Sequence, residues 1–150
     1  MTRLACVIAA LASLLGCATS GGTRPDVSSA EAGAVQGATL AQIYFWRAKP
    51  GKLEEYTRYI REHAEPIDEE ARRAGAFVSV TTFMAADTVV PWTHMRVFTL
   101  RDSLQLRGLG AALTAAGVRL QPDSVRRRQQ GEYSATLRDR VGAAVVEIVR

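Results

Sequence analysis

From Leu40 onward, large apolar residues recur with a spacing that changes from two to about 3.6 and back to two, the pattern of a strand, a helix and a second strand. Residues 40–48 alternate Ala41, Ile43 and Phe45 on one side with Gln42, Tyr44 and Trp46 on the other, which predicts a strand with large groups on both faces. Pro50-Gly51 forces a turn. Residues 53–74 then carry Leu53, Tyr56, Ile60, Ala64, Ile67, Ala71 and Ala74 at helical intervals, one continuous apolar stripe. The charged residues between them, Glu62 and Asp68 included, read as a solvated face. Pro66 lacks the amide that would bond back to Glu62, so a kink or a break is expected there, and Gly75 stands where a left-handed cap would stop the helix.

The pattern continues with a strand over residues 76–84, alternating Phe77, Ser79, Thr81 and Phe83 with Val78, Val80 and Thr82. After a connection ending at Pro91, residues 92–100 alternate Trp92, His94, Arg96 and Phe98 with Thr93, Met95 and Val97. We expect Ile43, Phe45, Val78, Val80, Met95 and Val97 to lie beneath the helices, which leaves an aromatic and polar set on the other face. Asp102 is a good N-cap, with Gln105 completing a capping-box pattern, and predicts a helix over residues 103–116 that buries Leu104, Leu109, Ala112 and Leu113 and stops at Gly117. Pro122-Asp123 opens a further helix over 124–140, with Val125, Tyr133, Leu137 and Val141 as a poor stripe broken by Gly131. Residues 143–149, around Glu147, read as the last strand. The order β-α-β-β-α-(α)-β is an α+β, ferredoxin-like plan: a four-stranded antiparallel sheet with helices on one face.

Composition narrows the chemistry. A chain of 150 residues suits one domain, and a formal charge of +4 is a modest surplus, concentrated in Arg119, Arg126, Arg127, Arg128, Arg138 and Arg140. Cysteine occurs only at Cys6 and Cys17, so the body of the chain holds no disulfide framework and no cysteine-ligated metal. His63 and His94 are the only histidines, and no HExxH, phosphate-binding glycine loop or Gly-x-Ser-x-Gly elbow occurs, so no metal site is expected. No apolar run reaches the roughly 18 to 20 residues that span a bilayer.

The first residues read as an address. Arg3 precedes an apolar run over residues 4–15, and Leu14-Leu15-Gly16-Cys17 resembles the lipobox of bacterial lipoproteins, in which the cysteine becomes the lipidated first residue. The expected organisation is a signal peptide over 1–16, a flexible tether rich in small residues over 17–39, and a folded domain over 40–150. Lipidated Cys17 would hold the protein on the membrane of the cell envelope. Ala18, where an inner-membrane retention signal would resemble Asp, points to the outer membrane, facing the periplasm. Nucleic acid is not an expected partner for an exported chain.

The first strand followed by KPGKLEEY, the helix ending at Ala74-Gly75, and WTHMRVF leading into an Asp-capped helix resemble the dimeric α+β barrel superfamily, nearest to NIPSNAP-like and antibiotic-biosynthesis-monooxygenase-like domains. The resemblance implies a two-fold homodimer in which two sheets enclose a barrel, and a cavity that in family members takes aromatic polyketides or haem. A sheet face carrying Tyr44, Trp46, Phe83, Trp92 and Phe98 independently needs a cover. The expected ligand site is Gln42, Tyr44, Trp46, Ser79, Thr81, His94 and Arg96 on that face, with Glu147 in reach. His94 is the best candidate for proton transfer, or for axial ligation if haem is bound. The plainer alternative pairs Arg96 with Glu147 and His94 with Tyr44 or Ser79 in a structural network. Trp46, Trp92 and His94 match no specific catalytic motif. Three readings remain: a lipid-anchored dimer binding a small apolar or aromatic ligand, a monooxygenase- or isomerase-like enzyme around His94, and a structural envelope protein whose Arg126-Arg127-Arg128 helix meets anionic lipid.

Overall fold

The computed structural model describes residues 37–149; the expected signal segment and Cys17 lie outside the described residues. The elements are β1 (Leu40–Ala48), α1 (Leu53–Tyr59), a π-helical turn (Ile60–Ala64), α2 (Glu65–Arg73), β2 (Ser79–Met84), β3 (His94–Leu100), α3 (Ser103–Leu120), α4 (Ser124–Leu137) and β4 (Arg138–Glu147). The sheet order is β2-β3-β1-β4 and every pairing is antiparallel, the ferredoxin-like arrangement.

Local chemistry explains most boundaries. Asp102 accepts the amides of Leu104 and Gln105, while the Gln105 side chain reaches back to the amide of Arg101, one residue earlier than in a standard capping box. Asp123 caps α4 in the same way, accepting from Val125 and Arg126. Gly75, at φ 78°, closes α2: its amide bonds Arg72 and that of Ala76 bonds Ala71, a Schellman cap. Two expectations are corrected. Helix α3 runs through Gly117 to Leu120, and Leu104 is exposed, with Leu106, Leu109, Leu113 and Ala116 facing the core instead. Helix α4 ends at Leu137, and β4 begins at the next residue.

The expected break at Pro66 takes the form of a π turn just before it, in which the Glu65 amide bonds Ile60 five residues back. The wider turn inserts one residue into the helix and so rotates everything after it by about 100°. Asp68, expected on the solvated face, is thereby turned inward and is buried.

The larger correction concerns the sheet. Opposed residues in an antiparallel ladder share a face. The pairs Leu40↔Leu100, Gln42↔Phe98, Tyr44↔Arg96 and Trp46↔His94 place those residues together, with Val80, Thr82 and Met84 beside them. This is the face under the helices: Phe98 and Leu100 form a core with Phe77, Ala71, Leu109 and Ala116, against which Leu40, Tyr44, Val80 and Ile67 pack. Ile43, Phe45, Met95 and Val97 lie on the opposite, helix-free face. Both faces carry large groups, so alternation alone left the choice open. The helices settle it by supplying a histidine partner and an arginine partner.

Candidate functional site

The seven residues of the expected site do not share a face. Gln42, Tyr44, Trp46, His94 and Arg96 lie under the helices, whereas Ser79 pairs with Thr99 and Thr81 with Val97 on the helix-free side. Ser79 Oγ there contacts Thr99 Oγ1 at 2.6 Å. Gln42 spends its amide on the carbonyls of Ile43 and Ala144.

His94 is 1% exposed, and both ring nitrogens are engaged. Thr57 Oγ1 donates to the Leu53 carbonyl at 2.8 Å, so toward His94 Nε2, 3.0 Å away, it is the acceptor. Thr93 Oγ1 accepts the Ala48 amide at 2.8 Å, lies 3.0 Å from His94 Nδ1 and also reaches the Trp46 carbonyl as a donor at 3.3 Å. Thr57 as acceptor places a proton on Nε2. Burial favours the neutral ring, holding the imidazole below its ordinary pKa. The Tyr56 ring meets the imidazole edge-on at 4.7 Å. Among the described residues no carboxylate hydrogen-bonds this histidine, and neither Tyr44 nor Ser79 is its partner, contrary to the network expected from sequence. A cavity of about 180 Å³ adjoins it, bounded by Thr57, Ile60, Arg61, Glu65, Thr82, Met84 and His94.

Arg96 pairs with Asp68, not with Glu147, which lies at the end of β4 opposite Leu40. Arg96 also approaches the Phe98 ring, with its guanidinium carbon 5.3 Å from the centroid, and its Nε is buried without a hydrogen-bond partner. Burial lowers its pKa from the ordinary arginine value. Arg138 stacks over Trp46, 3.5 Å from the ring centroid, and bonds Ser134. The Asp68–Arg96 pair ties α2 to the sheet, and the Arg138–Trp46 contact ties the start of β4 to β1.

A larger space lies elsewhere. A groove of about 840 Å³ opens between the π turn and α2 on one side and α3 and α4 on the other. Tyr59, His63, Ile67, Leu113, Leu120 and Tyr133 supply its apolar and aromatic surface, and Arg126 and Arg127 its cations. Tyr59 touches both His63 and Tyr133, with centroids 5.0 and 5.9 Å apart. Gly117 keeps the wall of α3 low: a Cβ there would sit 3.8 Å from Ile67 Cδ1. None of the residues expected from sequence to bind a ligand lines this groove. The signals that could have found it are Pro66, which marks the π turn, and Gly117, which is not the helix stop it resembles.

The arginine run is divided in use. Arg127 donates to the carbonyls of Gln121 and Pro122, both at 2.7 Å, and fastens the α3–α4 corner. Arg126 and Arg128 are exposed, with Asp123 and Glu132 no nearer than 3.6 and 4.0 Å. No cluster of metal-binding side chains occurs among the described residues, nor any helix long and apolar enough to cross a membrane.

No family model matches the chain, and no curated protein matches it. Among solved structures it is similar to HapK from Hahella chejuensis at 11% identity and a TM-score of 0.51, covering 73% of this chain and 92% of that one. It also aligns with a dimeric protein of ferredoxin-like fold from Bacteroides fragilis NCTC 9343, at 12% identity, a TM-score of 0.47 and coverage of 75% and 96%. PA3566 from Pseudomonas aeruginosa aligns at 15% identity and a TM-score of 0.46, with coverage of 75% and 94%. At 11% identity the likeness to HapK speaks for the fold alone.

Proposed function

We propose that this protein is a ligand-binding homodimer of the bacterial cell envelope, held by lipidated Cys17 to the outer membrane and facing the periplasm, with a small apolar or aromatic ligand seated in the groove between its helices. The groove carries the reading: about 840 Å³ falls within the roughly 300–1,000 Å³ usual for small-molecule sites, and aromatic and aliphatic side chains with a few polar groups line it. Binding without catalysis fits the state of His94, whose two nitrogens are both committed to threonine hydroxyls. The enzyme reading, centred on that residue, has only the smaller cavity of about 180 Å³ beside it.

Support for the dimer comes from the helix-free face, where Ile43, Phe45, Met95 and Val97 adjoin Phe83, 45% exposed, and Val146, 40% exposed. Trp92 leans on Phe45 at its margin. A second copy of the same face would cover it by two-fold symmetry. The anchor and the compartment rest on the sequence of residues 1–18.

The test is titration with N-phenylnaphthylamine, a neutral aromatic fluorophore. Saturable binding by the wild type that Gly117→Leu abolishes, with its circular dichroism unchanged, supports the reading. Binding unaffected by Gly117→Leu, or no binding, would count against it.

A further inference from the structure

The groove is polarised along its length. Helix α4 contributes Arg126 and Arg127 near its first turn and Tyr133 seven positions later. At about 1.5 Å per residue, the cationic and aromatic ends of this wall lie about 10 Å apart. At the far end, Tyr133 meets Tyr59, whose ring lies tilted against His63, and the Tyr133 hydroxyl is committed to Glu55 at 2.7 Å. Ile67, Leu113 and Gly117 complete much of the lining and offer no charge.

The cationic end is built for an anion. Two carbonyls hold the Arg127 guanidinium, which fixes it in place without neutralising it. Arg126 has only a loose contact with Asp123, at 3.6 Å, and its side chain is 72% exposed, so it can turn toward a ligand at little cost. Glu62 is the carboxylate among the described lining residues, and it is carried by the π turn, not by α4. Among the described lining residues two guanidiniums stand against one carboxylate, with Asp123 held loosely to Arg126 from outside the lining, and this surplus attracts negative charge.

We propose, on the basis of the ligand-binding reading above, that the groove takes a free monocarboxylic amphiphile: an apolar body about 10 Å long against Tyr59, Ile67, Leu113 and Tyr133, and one carboxylate at Arg126 and Arg127. The body lies along the uncharged lining of the groove. The headgroup replaces water on the fixed Arg127 guanidinium, and Arg126 turns to join it.

Calorimetric titration of the full-length chain in lipid nanodiscs, with empty nanodiscs as the blank, separates the two claims. Decanoate, decanol and decylamine share one chain and differ in head. The expected result is decanoate tighter than decanol and decylamine weakest, with Arg126→Ala weakening decanoate about tenfold and leaving decanol unchanged. Equal binding of all three heads, unaltered by Arg126→Ala, overturns the carboxylate while leaving the groove as a ligand site. No binding of any of them, alongside failure of N-phenylnaphthylamine, overturns both. Arg126-dependent binding to phosphatidylglycerol vesicles without any response to decanoate overturns the free ligand in favour of membrane docking.

Discussion

Asp68 on α2 and Arg96 on β3 form an ion pair whose side chains are 4% and 12% exposed, buried between helix and sheet. The pair exists because the π turn rotates Asp68 inward, and it clamps the second half of the interrupted helix to the central strand. Removing one partner leaves the other charge uncompensated in a poorly hydrated place. Asp68→Ala should therefore cost about 3–5 kcal/mol of stability in urea denaturation, whereas the double change Asp68→Leu with Arg96→Met should recover most of it. A loss under about 1 kcal/mol for Asp68→Ala would mean that water already reaches the pair.

The neutral state of His94 sets a pH dependence. The unfolded chain protonates this ring near pH 6.5, while burial keeps the folded ring neutral to lower pH. Below about 6.5 the unfolded state thus holds more protons, and stability falls as pH falls; above 6.5 this residue contributes no slope. Denaturation midpoints between pH 7.5 and 5 should decline in the wild type and decline less in His94→Gln. If that variant does not fold, NMR titration of the His94 ring in the wild type gives the same answer, and a folded-state pKa at or above 6.5 would contradict the assignment.

Gly108 and Gly110 sit inside α3, neither is among the positive-φ glycines, and a Cβ at either position meets nothing within 4 Å. Each should be replaceable by Ala with a gain of about 1 kcal/mol, measured by thermal or urea unfolding. Gly75→Ala, at φ 78°, should instead lose about 1 kcal/mol or more, because only glycine adopts that conformation without strain. A loss at Gly108 or Gly110 would reveal a contact on that side of α3.

The helix-free face makes a separate prediction about assembly. Sedimentation velocity should find a dimer for the wild type, and Val97→Glu, a charge placed at the middle of that face, should yield a folded monomer. A wild-type monomer would remove the sheet-face interface from the account.

Much of the fold was legible in local chemistry. The limits of β1, the cap at Asp102 and the stop at Gly75 follow from alternation, side-chain acceptors and positive φ, all of which are written in a few neighbouring residues. The face of the sheet was not, because Tyr44 and Phe45, or Arg96 and Val97, are equally able to be covered; what decided between them was Thr57 and Asp68, far away in sequence. Asp68 itself looked solvated because a regular helical period hides the residue inserted by the π turn. His94 stood out by residue type, but its role depends on two threonines that no motif marks. The groove was least legible. It is assembled from the π turn, α2, α3 and α4, and its defining feature, the low wall at Gly117, reads in sequence as a helix terminus.

The most direct test of the central claim is an NMR amide-shift map recorded while N-phenylnaphthylamine is titrated into the isotopically labelled protein. The account predicts saturable shifts concentrated at His63, Leu113, Gly117, Gly131 and Tyr133, with Thr57, Thr82 and His94 little changed. Shifts confined to Thr57, Thr82 and His94, or spread over Ile43, Met95 and Val97 on the helix-free face, would contradict it.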